Sequence, residues 1–128
     1  MSFNYLGIEE VEEVIEYLKE QSDRPTHYNS QLLQACLIRY QEDQYETLID
    51  KAAKLACDII DIGPFEDDNV LKAVNLISYF LQLNGHDLDS KTEVDELVFN
   101  MYKENNKLDM ALHHYISTVT VPFDTEED

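Results

Sequence analysis

Four histidines, two cysteines and a dense set of carboxylates are the side chains of this sequence that could do chemistry, and their spacing decides how much of it is open to them. His27, His86 and the adjacent His113 and His114 have no i, i+4 partner in a ligand spacing, and neighbouring residues leave a helix about 100° apart. They read as surface or half-buried histidines. Asp58 and Asp61 lie about one helical turn apart, a geometry open to a hard cation, but a single carboxylate pair is too common to define a site. Cys36 and Cys57 sit inside helical patterns rather than in a Cys-x-x-Cys unit, and nothing at the N-terminus resembles a signal peptide. Buried free thiols in a reducing, cytoplasmic compartment are the plain expectation. With no Gly-rich phosphate loop, G-x-S-x-G turn or Cys/His nucleophile pattern, neither a metal nor a cofactor is expected.

One stretch has the layout of a site, DIGPFEDDNVLKAVNLISYFLQLNG from Asp61 to Gly85. A loop carrying Pro64, Phe65, Glu66, Asp67 and Asp68 delivers the chain through Asn69 into an apolar helix. The unpaired N–H groups at such a start favour an anion. Glu66, Asp67 and Asp68 would compete for those donors and repel a phosphate, and Lys72, the nearest cation, lies inside the helix. The residues therefore predict a capped helix start, with Asp67, Asp68 or Asn69 as the cap and Gly85 as the stop.

The elements that must position this loop read as helices. Val70, Leu71, Val74, Leu76, Ile77, Phe80, Leu81 and Leu83 cover most of one helix, leaving a polar stripe of Lys72, Asn75, Tyr79 and Gln82, so a central helix wrapped by others is expected. At about 16 residues it falls short of the ~20 that a bilayer requires. Ahead of it, Ile8, Val11, Val14, Ile15 and Leu18 mark an amphipathic helix, and Ser22 to Tyr28 reads as a loop. Asn29 or Ser30 caps a second helix, Gln41 to Gln44 is a loop, and a third helix runs roughly from Glu46 to Ile60. After Gly85, His86 to Ser90 is a turn, and Thr92 with Asp95 caps a fifth helix that Asn105 and Asn106 break. A last helix spans about 108–118, and Val119 to Asp128 is an extended acidic tail. The fold class is all-α, a single compact domain of about six helices over residues 1–118, followed by the tail at 119–128.

A formal charge of −18, from 27 acids against 9 bases, argues against direct binding to nucleic acid or an anionic membrane. Any partner is expected to be a protein with a basic surface. Glu9, Glu12, Glu13 and Glu16 on the first helix, with Asp124, Glu126, Glu127 and Asp128 in the tail, are the candidate contacts; a solvated face explains the same residues if there is no partner. A bolder alternative is an acidic mimic of DNA phosphates that captures a nucleic-acid-binding protein.

At the loop-to-helix junction the chain resembles the Fic/Doc family, in particular the small death-on-curing toxins. Their signature is His-Pro-Phe-x-Asp-Gly-Asn-(Lys or Gly)-Arg ahead of an apolar helix ending in Asn-Gly. The aligned run is Gly63, Pro64, Phe65, Glu66, Asp67, Asp68, Asn69, Val70 and Leu71, with Asn84 and Gly85 at the helix end. The opening Tyr-Leu-x-Ile-Glu-Glu-Val, the Leu-Leu-Gln-Ala at Leu32 to Ala35 and the Lys-Ala-Ala at Lys51 to Ala53 fall where such toxins carry similar residues. The resemblance implies a Fic/Doc-like fold and transfer of a nucleotide or phosphate to a protein hydroxyl. Pro64, Phe65, Asp67 and Asn69 match, but Gly63 replaces the motif His, Asp68 the Gly, Val70 the Lys or Gly, and Leu71 the Arg. These losses remove the groups that move a proton and neutralise transferred charge. The expectation is a catalytically inactive relative that binds another protein, as a regulator or decoy in a toxin–antitoxin, phage or mobile-element setting. The rival is a transferase with a rebuilt site, in which Lys72 stands in for the Arg and Asp67 holds a metal.

Overall fold

A computed structural model describes residues 3–22, 26–86 and 90–104, together with Ile116. It contains α1 (Ile8–Ser22), α2 (Ser30–Arg39), α3 (Leu48–Ile62), α4 (Asn69–Leu83) and α5 (Lys91–Glu104), so the all-α expectation holds for the described residues. Their single piece of strand-like pairing is an antiparallel bridge between Tyr28 and Phe65. No described helix is long and apolar enough to cross a membrane. The helix expected over 108–118 and the tail at 119–128, with His113, His114, Asp124, Glu126, Glu127 and Asp128, lie outside the described residues except for Ile116, which is helical and fully buried.

Local chemistry sets the helix ends. Asn29 accepts the Leu32 N–H at the start of α2. Thr47 accepts the Asp50 N–H, so α3 begins at Leu48 rather than near Glu46. Gly63 then takes the left-handed conformation (φ 69°) and donates to the Ile59 carbonyl, which carries α3 to Ile62, beyond the expected Ile60. The cap of α5 is Ser90, whose Oγ accepts the Glu93 N–H at 3.2 Å, and not Thr92.

The centre of the bundle also differs from expectation. α3 packs against α2, α4 and α5, whereas α4 packs against α3 and α1, so α3 is the hub. Ala52, Ala53, Ala56 and Cys57 are buried along it, and short side chains let neighbouring helices approach on several sides. Leu55, Ile59, Leu76, Ile77, Phe80, Leu97 and Met101 fill the interfaces. At one end of this core Tyr40 is fully buried, its ring edge-on to Phe80 at 5.1 Å and to Tyr5 at 5.4 Å. Its hydroxyl accepts the Leu6 N–H, which fastens the segment ahead of α1. Asn84 completes that attachment: its Oδ1 accepts the Asn4 N–H at 2.8 Å and its Nδ2 donates to the Asn4 carbonyl at 3.0 Å.

Of the polar stripe expected on α4, Lys72 and Asn75 are buried and Tyr79 and Gln82 half-buried. Lys51 and Lys54 on α3 are buried too. Lys51 Nζ lies 5.7 Å from the Phe3 ring and 5.5 Å from the Tyr5 ring and donates to the Tyr40 and Glu42 carbonyls, at the negative end of α2. Three of the nine basic residues are thus withdrawn from the surface, against Asp58 as the one buried acid among the described residues. The exterior is therefore more acidic than the formal charge conveys.

Candidate functional site

Residues 63–72 form a closed junction between α3 and α4. Pro64 and Phe65 are buried, and the backbone beside them pairs with the segment before α2: Asn29 N–H donates to the Pro64 carbonyl and Glu66 N–H to the His27 carbonyl, both at 2.8 Å. The Tyr28 ring meets Phe65 edge-on at 6.2 Å. On the other side of Phe65, Asn69 takes the place of a neighbouring strand. Its Oδ1 accepts the Phe65 N–H at 3.0 Å and its Nδ2 donates to the Phe65 carbonyl at 3.2 Å.

Of the three candidates Asp68 takes the cap position, but without a capping bond from its side chain. Asp68 has a left-handed conformation (φ 55°) in place of the extended one that a capping residue ordinarily takes, and it is exposed. Asp67 is instead held by Lys72, whose Nζ donates to the Asp67 carbonyl at 2.8 Å and to its Oδ1 at 3.2 Å, with the Phe65 ring 5.7 Å away. Leu71 and Val70 are half-buried, Glu66, Asp67 and Asp68 exposed. Gly63 is left-handed, and a Cβ there would stand 3.6 Å from Asn69 Nδ2, so a side chain has space but a strained backbone.

The acidic face of α1 adjoins this junction. Glu9, Glu12, Glu13 and Glu16 are exposed, yet two of them have tertiary partners: Tyr28 donates to Glu12 at 3.0 Å and Tyr79 donates to Glu13. Both tyrosine hydroxyls titrate above their ordinary range. Tyr28 is raised chiefly by its bond to Glu12, and Tyr79 is pushed up to about 12 by burial and then by Glu13. At neutral pH they are donors, not bases. Through Tyr28 the carboxylates of α1 and those of the 66–68 loop border one surface.

The other sequence candidates are structural. Asp61 is exposed, while Asp58 is buried between Lys54 (3.2 Å) and Arg39 (3.4 Å), so the two do not converge on a cation. Cys36 and Cys57 are buried free thiols pushed up to about 12, by desolvation first, which leaves them protonated and unreactive. His27 is exposed, and His86 Nε2 lies 3.3 Å from Glu93 Oε2. Sequence reasoning missed the part of Lys72 and the bridge to Tyr28. The cation five positions after Asp67 was a signal for the first; nothing in the sequence marked the second. No family model, curated protein or solved structure matches the chain.

Proposed function

We propose that this chain is a catalytically inactive Fic/Doc-like protein that acts by binding another protein with a basic surface, as a regulator or decoy in a toxin–antitoxin, phage or mobile-element setting. The observation that carries the reading is that the polar groups of the junction are bonded to the junction itself. Asn69 is committed to the Phe65 backbone and Lys72 to Asp67, while Gly63 and Leu71 stand where the motif His and Arg would be. Lys72 in that position is a brace for the loop and not a substitute for the missing Arg, which speaks against the rebuilt transferase. The class of partner follows from charge: the burial of three of the nine bases leaves a strongly acidic exterior.

The test is capture of partners by the tagged chain from host lysate at low and high salt, with a parallel incubation in ATP and magnesium. A stoichiometric basic protein, released by salt, is the expected result. Transfer of nucleotide or phosphate to lysate proteins would overturn inactivity. The exposed run of Glu9, Glu12, Glu13 and Glu16 on one helix favours a second reading, an acidic mimic of nucleic-acid phosphates. A captured DNA-binding protein that DNA displaces would select it.

A further inference from the structure

At the opposite end of α3 from the junction, a cleft of about 330 Å³ opens between the α2–α3 connection and α5, lined by Gln44, Tyr45, Asp50, Asn100, Lys103 and Glu104. Each carboxylate in it uses one oxygen within the fold. Asp50 Oδ1 accepts from Asn100 Nδ2 at 3.0 Å, and Glu104 Oε1 faces Lys54 Nζ at 3.3 Å. The described residues offer no donor to the second oxygen of either. A carboxylate can accept several hydrogen bonds, so both retain capacity for a further donor. On the same helix as Asn100 and Glu104, Phe99 is 62% exposed and its ring lies 5.5 Å from Nζ of Lys103, one of the residues that line the opening.

We propose that this cleft receives an arginine side chain of the basic partner. A planar guanidinium has five donors in a rigid fork, matches paired carboxylate oxygens and stacks on aromatic rings, which an ammonium does less well. Arginine is also the charged residue most enriched among the anchors of protein interfaces. Lys103 is the competing cation at the rim: its Nζ lies 5.5 Å from the Phe99 ring centroid, over a face the guanidinium would use. The inference rests on the proposed function for the existence of a basic partner, but the chemistry of the cleft is testable without one.

The experiment is a titration of the ¹⁵N-labelled full chain with an acetylated, amidated Gly-Arg-Gly peptide, with the lysine and the neutral citrulline peptides as controls, followed by amide shifts. The expected result is saturable binding centred on Tyr45, Asp50, Asn100 and Glu104, about tenfold weaker for citrulline. Asp50→Asn weakens it, and Lys103→Met, an exposed change that leaves the fold intact, strengthens it. A site for an anion or zwitterion would respond to Lys103→Met with the opposite sign. Shifts spread without saturation over the α1 glutamates, equal affinity for citrulline, or weakening by Lys103→Met would each overturn the proposal. Failure here leaves partner binding standing, since capture from lysate tests the whole surface; capture that fails while the peptide saturates the cleft would remove the partner and keep the cleft.

Discussion

Lys54 and Lys72 are both buried lysines on neighbouring helices, yet they are used in different ways. Lys54 lies at the seam of α2, α3 and α5, where its carboxylate partner Asp58 is itself buried and also meets Arg39, while Glu104 reaches in from α5. Lys72 braces a loop of its own helix entry, and the carboxylate it holds, Asp67, is 48% exposed. The first arrangement cross-links three helices inside the protein. The second shapes a surface loop, with half of its partnership in water. Burial of a cation therefore carries no single meaning in this fold: what its partner loses on exposure to water decides whether the contact holds the bundle together or only sets the form of one edge.

Asp58→Ala should have the largest effect. It leaves Lys54 with Glu104 alone in a low-dielectric seam, and we expect a loss of about 3–5 kcal/mol in urea denaturation. Gly63→His, which restores the residue of the family signature, should cost about 1–2 kcal/mol because the backbone there is left-handed, and it should confer no transfer activity with ATP and magnesium. A gain of transfer would show that the junction is poised for chemistry after all.

A smaller effect appears in the pH dependence. Burial by itself would lower the titration of Lys54, but Asp58 and Glu104 outweigh it and hold the group above its usual 10.5. A raised lysine contributes stability that is complete below its unfolded value and lost as pH rises through the folded one. The stability difference between wild type and Lys54→Met should thus be constant from about pH 6 to 9 and shrink at pH values above 10.5. Asp58 runs the other way on its own: burial raises it, so acidification of this one group favours the fold. The smallest change is Asp67→Ala, below about 1 kcal/mol because the pair is half in solvent. Its signature is local, faster amide exchange at Phe65 and Glu66 with the global midpoint unmoved.

Periodic apolar residues made the five described helices legible from sequence, and Asn29 and Gly85 marked two of their ends through chemistry intrinsic to those residues, whereas the part of Gly63 in carrying α3 to Ile62 was not read. The choice between Ser90 and Thr92 was not legible, since each is followed three positions later by an acid and the earlier one captures the first-turn amide. Hydrophobic patterning placed α4 at the centre because it counts large apolar residues. It undervalued the alanines of α3, which create room for neighbours and add little apolar area of their own. It likewise grouped Lys72 and Asn75 in a polar stripe without the partners that let them be buried: Lys72 meets Asp67, and Asn75 Nδ2 donates to the Leu71 carbonyl. At the junction the residue types were readable and their bonding was not. Asn69 was expected to serve an amide of its own helix and instead serves the chain before it.

The attachment of the segment ahead of α1 has a consequence for the order of assembly during synthesis. Asn4 finds its partner Asn84 at a separation of 80 residues, and Leu6 finds the Tyr40 hydroxyl 34 residues on. A chain made in the N-to-C direction has α1, α2 and α3 available to pair before Asn84 leaves the ribosome. The segment that carries Asn4 and Tyr5 is thus fully fastened only after α4 has been made, since α4 and its end supply Phe80 and Asn84, and until then the Tyr5 ring stays open to chaperones.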